Sequence, residues 1–129
     1  MSAASNYLEL KLLDHSLGTT AYTAPSNVYV GLFTSDPTDA GTGTEVSGNN
    51  YSRKEATFAA ASGGSASTNA TITFDAASGG NWGTITHIGI FDASSSGNLL
   101  FHGAVTTSKT IEDGDTFQIS SGNLTISLD

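Results

Sequence analysis

The sequence has no cysteine, which excludes disulfide bonds, zinc–thiolate sites and a thiol nucleophile. Only 12% of the 129 residues are charged, about half of the usual share for a soluble domain. Four basic residues stand against twelve acidic ones, which gives a formal net charge of −8. Because phosphate binding needs clustered Lys and Arg, this balance argues against nucleic acid and against an anionic membrane surface as partners.

Long apolar runs are also missing. No stretch approaches the ~20 residues that are needed to cross a bilayer, and the N-terminus MSAASNYLEL lacks the basic and apolar regions of a secretory signal peptide. We therefore expect a protein that is made and used without secretion. The hydrophobic fraction is 37%, yet one Trp, four Tyr and six Phe lie mostly in β-like runs, which favours an ordered domain over a disordered chain.

One helix is predicted, over residues 6–17, from the segment NYLELKLLDHSL. Asn6 is the expected N-cap with Glu9 completing a capping box, and Gly18 suits the left-handed position after the last turn. The helix is rich in leucine over more than a third of its circumference. Either it plugs the end of a β core, or part of it docks on another subunit. The candidate docking residues are Leu8, Leu10, Leu12, Leu13 and Leu17.

Short strands follow the helix at spacings near ten residues and are separated by Gly and Ser. NVYVGLF alternates so that both of its faces look covered, and ATITF places Ile72 and Phe74 on one face. Seven or so such strands predict a mainly β fold with a single antiparallel β-sandwich. A small jelly roll stays possible, because its strands have the same periodicity in the sequence. We expect a single domain over residues 1–129, with the helix at 6–17, the sandwich at 27–129 and an exposed loop at 35–50.

Residues 81–107, NWGTITHIGIFDASSSGNLLFHGAVTT, are predicted to form a hairpin that carries two of the three histidines. If residues 92–98 form the loop, the two flanking strands pair antiparallel, and opposite residues have numbers that sum to about 190. This pairing places His87 near His102 or Gly103. Alternation places His87 on the face of Ile85 and Phe91. A cross-strand histidine pair could bind a metal, but no third ligand lies at a fixed spacing. The pattern therefore favours histidines that only help to build a sheet.

Acidic residues form two clusters of three carboxylates that could hold calcium. Neither has the alternation of an EF-hand loop, and acidic residues are ordinary in turns, so solvated turns are the favoured interpretation. Phosphate-binding loops and a Gly-x-Ser-x-Gly elbow are not found in the sequence. We therefore predict no catalytic residue, no cofactor and no metal site. The two clusters are Asp36, Asp39 and Glu45, and Glu112, Asp113 and Asp115.

Four motifs span almost the whole chain in a fixed order: SNYLELKLLDHSLG, YTAPSNVYVGLFTSDPTDAGTGTEVSGNNYSR, WGTITHIGIFDASSSGNLLFHGAV and TIEDGDTFQISSGNLTISL. In these motifs the chain resembles a family of small tailed-bacteriophage proteins, which are usually described as phage tail fibre or minor virion proteins. The resemblance implies a structural component of the virion that is assembled in the host cytoplasm and has no enzymatic activity. It also implies self-association into a homo-oligomer and docking on other virion proteins.

The location on the virion stays open, since a fibre-base or tip module and a head decoration protein both suit a chain of this length. The edge of a strand such as LTISL would be a natural place for subunits to pair. The alternative is a stand-alone carbohydrate-binding β-sandwich module, which would bind a host-surface glycan. Its candidate sugar platforms are Trp82, Tyr51 and Tyr22, although a tryptophan that caps the core is the favoured interpretation of Trp82.

Overall fold

The computed structural model describes residues 2–128 and is mainly β, as predicted. One helix and nine short strands follow one another along these residues. They are β1 (Ala3–Ala4), α1 (Asn6–Ser16), β2 (Val28–Phe33), β3 (Lys54–Ala56), β4 (Ser65–Ser67), β5 (Ile72–Thr73), β6 (Gly83–Phe91), β7 (Leu99–Ile111), β8 (Gln118–Ile119) and β9 (Thr125–Ser127). The helix is confirmed, although its N-cap is Ser5 rather than the predicted Asn6.

Five strands form one antiparallel sheet in the order β1-β7-β6-β2-β3. Two further pairs, β4 with β9 and β5 with β8, form separate two-stranded sheets. The predicted single sandwich is not confirmed, because these four strands are only two or three residues long and their ladders do not join into a second sheet. The described residues contain no helix that is long and apolar enough to span a membrane.

The main hydrophobic core draws on the large sheet and on the short strands that face it. Val30, Leu32 and Ile90 contribute from the large sheet, and Ile72 and Ile119 contribute from the β5–β8 pair. A smaller cluster is formed by Phe33, Phe91 and Leu99. The prediction that both faces of β2 are covered is confirmed, since its residues occur in both clusters.

The β6–β7 hairpin is confirmed, and its register near the loop agrees with the prediction within one residue, but its faces differ from the prediction. His87 lies opposite Ala104, and His102 lies opposite Gly89. The ladder then shifts between Ile85 and His87, so that Ile85 pairs with Lys109. A bulge adds residues to one strand only and changes which side chains share a face. Ile85 accordingly belongs to the main core with Ile90, and the predicted shared face of Ile85 and His87 is wrong.

Candidate functional site

Two leucines of α1 and the leucine at its C-cap are exposed on the surface of the described chain. Leu10 is 64% exposed, Leu13 is 55% exposed and Leu17 is 74% exposed. Their spacing of three and four residues places them along one side of a helix. We call these three residues the leucine stripe. Since single exposed leucines are common but a row of three is an apolar patch, the stripe is a candidate contact surface.

The N-terminus of α1 is tied to the large sheet. The Ser5 hydroxyl donates to the Leu99 carbonyl and accepts the Leu8 N–H. The Ser5 N–H donates to the Leu100 carbonyl at 2.8 Å, and the Asn6 N–H donates to the Asp39 carbonyl at 2.9 Å. Ser5 is buried, so water competes little for these bonds. The helix therefore begins at a fixed point on β7.

The C-terminus of α1 ends as the sequence predicts. Gly18 has a φ of 80°, which is the left-handed conformation that glycine adopts without strain. The Thr19 N–H donates to the Asp14 carbonyl at 2.9 Å, and the Gly18 N–H donates to the His15 carbonyl at 3.4 Å. This is the Schellman pattern, which satisfies the last carbonyls of a helix. The start of α1 is thus bonded to the sheet, and its end is capped by bonds within the helix itself.

The five predicted docking leucines divide between the inside and the outside of the chain. Leu8 is buried, and Leu12 is half-buried. Leu8 lies in the first turn of α1, three residues after the Ser5 cap, and it is buried against the protein's own fold, so it is not available to a partner. Leu10, Leu13 and Leu17 are the members that stay accessible. Their docking itself remains a prediction.

The segment at residues 35–50 is a largely exposed loop, as the sequence predicts, but it is attached to the sheet. It folds back on the end of β2, where the Val46 N–H donates to the Leu32 carbonyl at 2.9 Å and the Thr34 N–H donates to the Thr44 carbonyl at 3.0 Å. Its Asp39 carboxylate lies 2.7 Å from Nε2 of His102 on β7. Backbone pairing and a histidine contact thus attach this segment to the sheet that carries α1.

A largely buried ion pair joins the same segment to Arg53, the residue directly before β3. The Arg53 guanidinium donates to both carboxylate oxygens of Glu45, at 2.8 and 2.9 Å. It stacks on the Phe91 ring, 3.4 Å from the ring centroid, and it donates to the carbonyls of Ala93 and Ser96 in the β6–β7 loop. A planar guanidinium suits this combination of bidentate binding and stacking. The sequence prediction had placed Glu45 in an acidic cluster and had not paired it with Arg53.

Tyr51 completes this network. Its hydroxyl donates to Glu45 Oε2 at 2.6 Å and accepts the Leu32 N–H at 2.9 Å. Burial, together with the hydrogen bond to the Glu45 carboxylate, raises the pKa of the Tyr51 phenol far above its ordinary value. The phenol therefore stays protonated in the folded chain under conditions in which the unfolded chain loses that proton.

We expect a loss of stability at alkaline pH that depends on Tyr51. Because the folded pKa is raised, the contribution of this group is fully present below the unfolded pKa of about 10 and declines as the pH rises beyond it. Chemical denaturation at a series of alkaline pH values should show a steeper decline for the parent chain than for Tyr51→Phe. Equal slopes for the two chains would contradict this assignment.

The histidines and the acidic clusters have ordinary hydrogen-bond partners. Nδ1 of His87 lies 2.8 Å from the Thr86 hydroxyl, and His102 contacts Asp39. Glu112, Asp113 and Asp115 lie in an exposed turn, where the Asp115 carboxylate accepts the Glu112 N–H. The interpretation of this second cluster as a turn is confirmed. Within residues 2–128, no group of three or more His, Asp and Glu is placed to hold a metal ion.

Two of the three candidate sugar-binding aromatics lie in the core. Trp82 is buried, and its Nε1 donates to the Asn49 carbonyl at 2.9 Å. Tyr51 lies edge-on to Trp82 and is stacked against Phe74. The interpretation of Trp82 as a core residue is confirmed, and neither ring can stack on a sugar. Of the three platforms, only Tyr22 is left on the surface, half-buried, so the glycan-binding alternative loses most of its support.

An apolar groove runs between the large sheet and the β4–β9 pair, with a volume of about 470 Å³. None of the residues from 2 to 128 that line it is charged. Val28, Ile90, Leu100 and Phe101 form its floor from the large sheet, and the other wall belongs to the segments that carry β4 and β9. The lining residues from that wall are Phe58, Ala61, Gly64, Ser65, Ala66, Ile126, Ser127 and Leu128. We call this feature the apolar groove.

A family model described as "Podophage GP4 fiber I protein gp80" matches residues 3–127. The chain belongs to this family. The match to the podophage fibre family runs from β1 to β9, so it includes α1 with the leucine stripe as well as the apolar groove. It confirms the resemblance to phage tail fibre proteins and supports a structural component of the virion. No curated protein matches the chain.

Proposed function

We propose that this protein is a non-enzymatic structural module of a phage tail fibre, assembled in the host cytoplasm, which self-associates and docks on other virion proteins through the leucine stripe. Membership in the podophage fibre family supports the role as a structural component of the virion. The observation that carries the proposal is the exposure of Leu10 and Leu13 on α1 and of Leu17 at its C-cap, on a helix whose start is hydrogen-bonded to β7.

Burial of the leucine stripe by a partner would be energetically favourable. Full burial of one leucine side chain contributes about 1.5–3 kcal/mol, and the three leucines each keep more than half of their surface in water. Because α1 is already ordered before a partner binds, covering the stripe costs little further conformational entropy of the helix. The stripe is thus a preorganised apolar contact on an otherwise acidic chain with a net charge of −8.

A charge placed in the stripe tests the proposal. We expect the double variant Leu10→Asp with Leu13→Asp to remain folded, because both positions are exposed, and to lose self-association. Lys11→Asp is the matched control, since it places the same side chain on the same helix outside the stripe. Light scattering after size exclusion, with circular dichroism as the check of folding, measures the result. A double variant that associates like the parent would contradict docking through the stripe.

The location on the virion is tested separately. Electron microscopy of intact particles with a gold-labelled antibody against this chain should show label on the tail fibres. Label scattered over the head would overturn the fibre location and favour the head decoration protein instead. Particles without label, intact or disrupted, would overturn the structural role altogether.

A further inference from the structure

We infer that the apolar groove of one copy receives the leucine stripe of a second copy, so that the copies join head to tail. The inference rests on the proposed self-association and names the surface that receives the stripe. Two unlike patches on one chain that fit each other produce a heterologous contact, which closes into a ring or continues as a filament.

The exposed apolar residues point to this pairing. The described part of the chain has four exposed large hydrophobic residues. Three of them are the stripe, Leu10, Leu13 and Leu17, and the fourth is Leu128 at the wall of the groove. Seating the stripe in the groove would therefore cover all four in a single contact.

Charge bears on where two copies of this chain can meet. Two chains that each carry a net charge of −8 repel each other over most of their surfaces. Among the described residues, those that line the groove carry no charge, so the approach of another acidic chain costs less there than over the charged parts of the surface. A second cleft of similar volume, between β7 and the segment around β8, is lined by several hydroxyl side chains together with His102 and Lys109. That cleft is a poorer site for leucine side chains, which cannot satisfy its polar groups.

The helix of the same chain leaves the groove open. No residue of α1 lies among the lining residues of the groove. The Ser5 bonds to Leu99 and Leu100, together with the Asn6 bond to Asp39, fix the start of the helix beside the segment at residues 35–50. Leu10 and Leu17 are about 10 Å apart along the helix axis, since each residue advances the helix by about 1.5 Å. The occupant is therefore the short, rigid stripe of another copy.

Two complementary variants test the contact. The stripe variant is Leu10→Asp with Leu13→Asp, which keeps an intact groove. The groove variant is Ala61→Asp with Leu128→Asp, two exposed positions at the groove wall, which keeps an intact stripe. Ser95→Asp, an exposed position in the β6–β7 loop, is the control for added charge. Analytical ultracentrifugation measures the mass of each protein alone and of the mixed variants.

We expect the parent chain and the Ser95→Asp control to form oligomers, and each of the two variants alone to sediment as a monomer of 13.1 kDa. Mixing the two variants should restore one contact and stop at a pair with twice the monomer mass, because one intact stripe then meets one intact groove.

A groove variant that still forms the parental oligomer would overturn the inference and leave self-association through the stripe standing. A parent chain that is monomeric throughout would overturn the proposed self-association itself. Failure of the mixed variants to pair, although both are folded, would also overturn the inference.

Discussion

Replacing Phe74 by alanine is expected to lower the free energy of unfolding by about 3–5 kcal/mol, the range for large aromatic side chains removed from a core. The side chain of Phe74 is 1% exposed and has an aromatic neighbour on several sides. It stacks on Tyr51 and meets Trp82 and Phe117 edge-on, with centroid distances of 5.9–6.4 Å. Alanine would leave a cavity that three rigid rings cannot close.

Urea denaturation followed by circular dichroism measures this loss, which is a large part of the roughly 5–15 kcal/mol that stabilises a typical domain. Phe58→Ala is the matched control. Phe58 is only half-buried at the core, so its removal creates less cavity and should cost clearly less. Equal losses at both positions would show that Phe74 is not the centre of the core.

Replacing Glu45 by glutamine is expected to cost about 3 kcal/mol although the shape of the side chain is preserved. The change leaves the Arg53 side chain, 9% exposed, without its counter-charge, and breaking one partner of a buried ion pair typically costs about 3–5 kcal/mol. We place the effect at the lower end because the Glu45 side chain is 23% exposed. The loop at residues 92–98 should loosen as well, since Arg53 holds two of its carbonyls.

The Lys54–Asp75 pair provides the matched control. Its N–O distance of 2.9 Å is nearly that of the Arg53–Glu45 pair, but its side chains are 28% and 59% exposed. Asp75→Asn should therefore cost less than about 1 kcal/mol. In a double-mutant cycle, Glu45→Gln with Arg53→Met should cost less than the sum of the two single changes, because the second change removes the charge that the first left unpaired. A Glu45→Gln variant as stable as Asp75→Asn would contradict a buried role for the pair.

Local patterns in the sequence predicted the local structure well. The leucine-rich segment forms the predicted helix, Gly18 ends it in the left-handed conformation, and the polar segment after Asp92 turns the β6–β7 hairpin. Ile72 and Phe74 are buried together, as their alternation indicates. These features depend on neighbours a few residues apart, and such neighbours are visible in a linear sequence.

Features that depend on distant contacts were missed. The bulge near His87 moved Ile85 to the other face, and no residue type marks such a bulge in advance. Arg53 and Glu45 meet only because the segment at residues 35–50 folds back on β2, which removes Glu45 from the predicted solvated cluster while Asp36 and Asp39 stay exposed. The sequence also could not show which leucines of α1 are accessible. The hydrogen bond from Ser5 to Leu99 of β7 orients the helix, so that Leu8 is buried while Leu13 stays exposed.

The tie between α1 and β7 also sets the order of events during synthesis. Ser5 and its partner Leu99 are 94 residues apart. At a translation rate of about 5–20 residues per second, roughly 5–20 s pass between the synthesis of the helix and the synthesis of its anchor. A helix of this length is marginally stable on its own in water, so the leucines are not presented as a rigid row during that interval. A nascent chain therefore lacks a fixed leucine stripe until Leu99 has been synthesised, so any contact through this stripe is delayed until β7 exists.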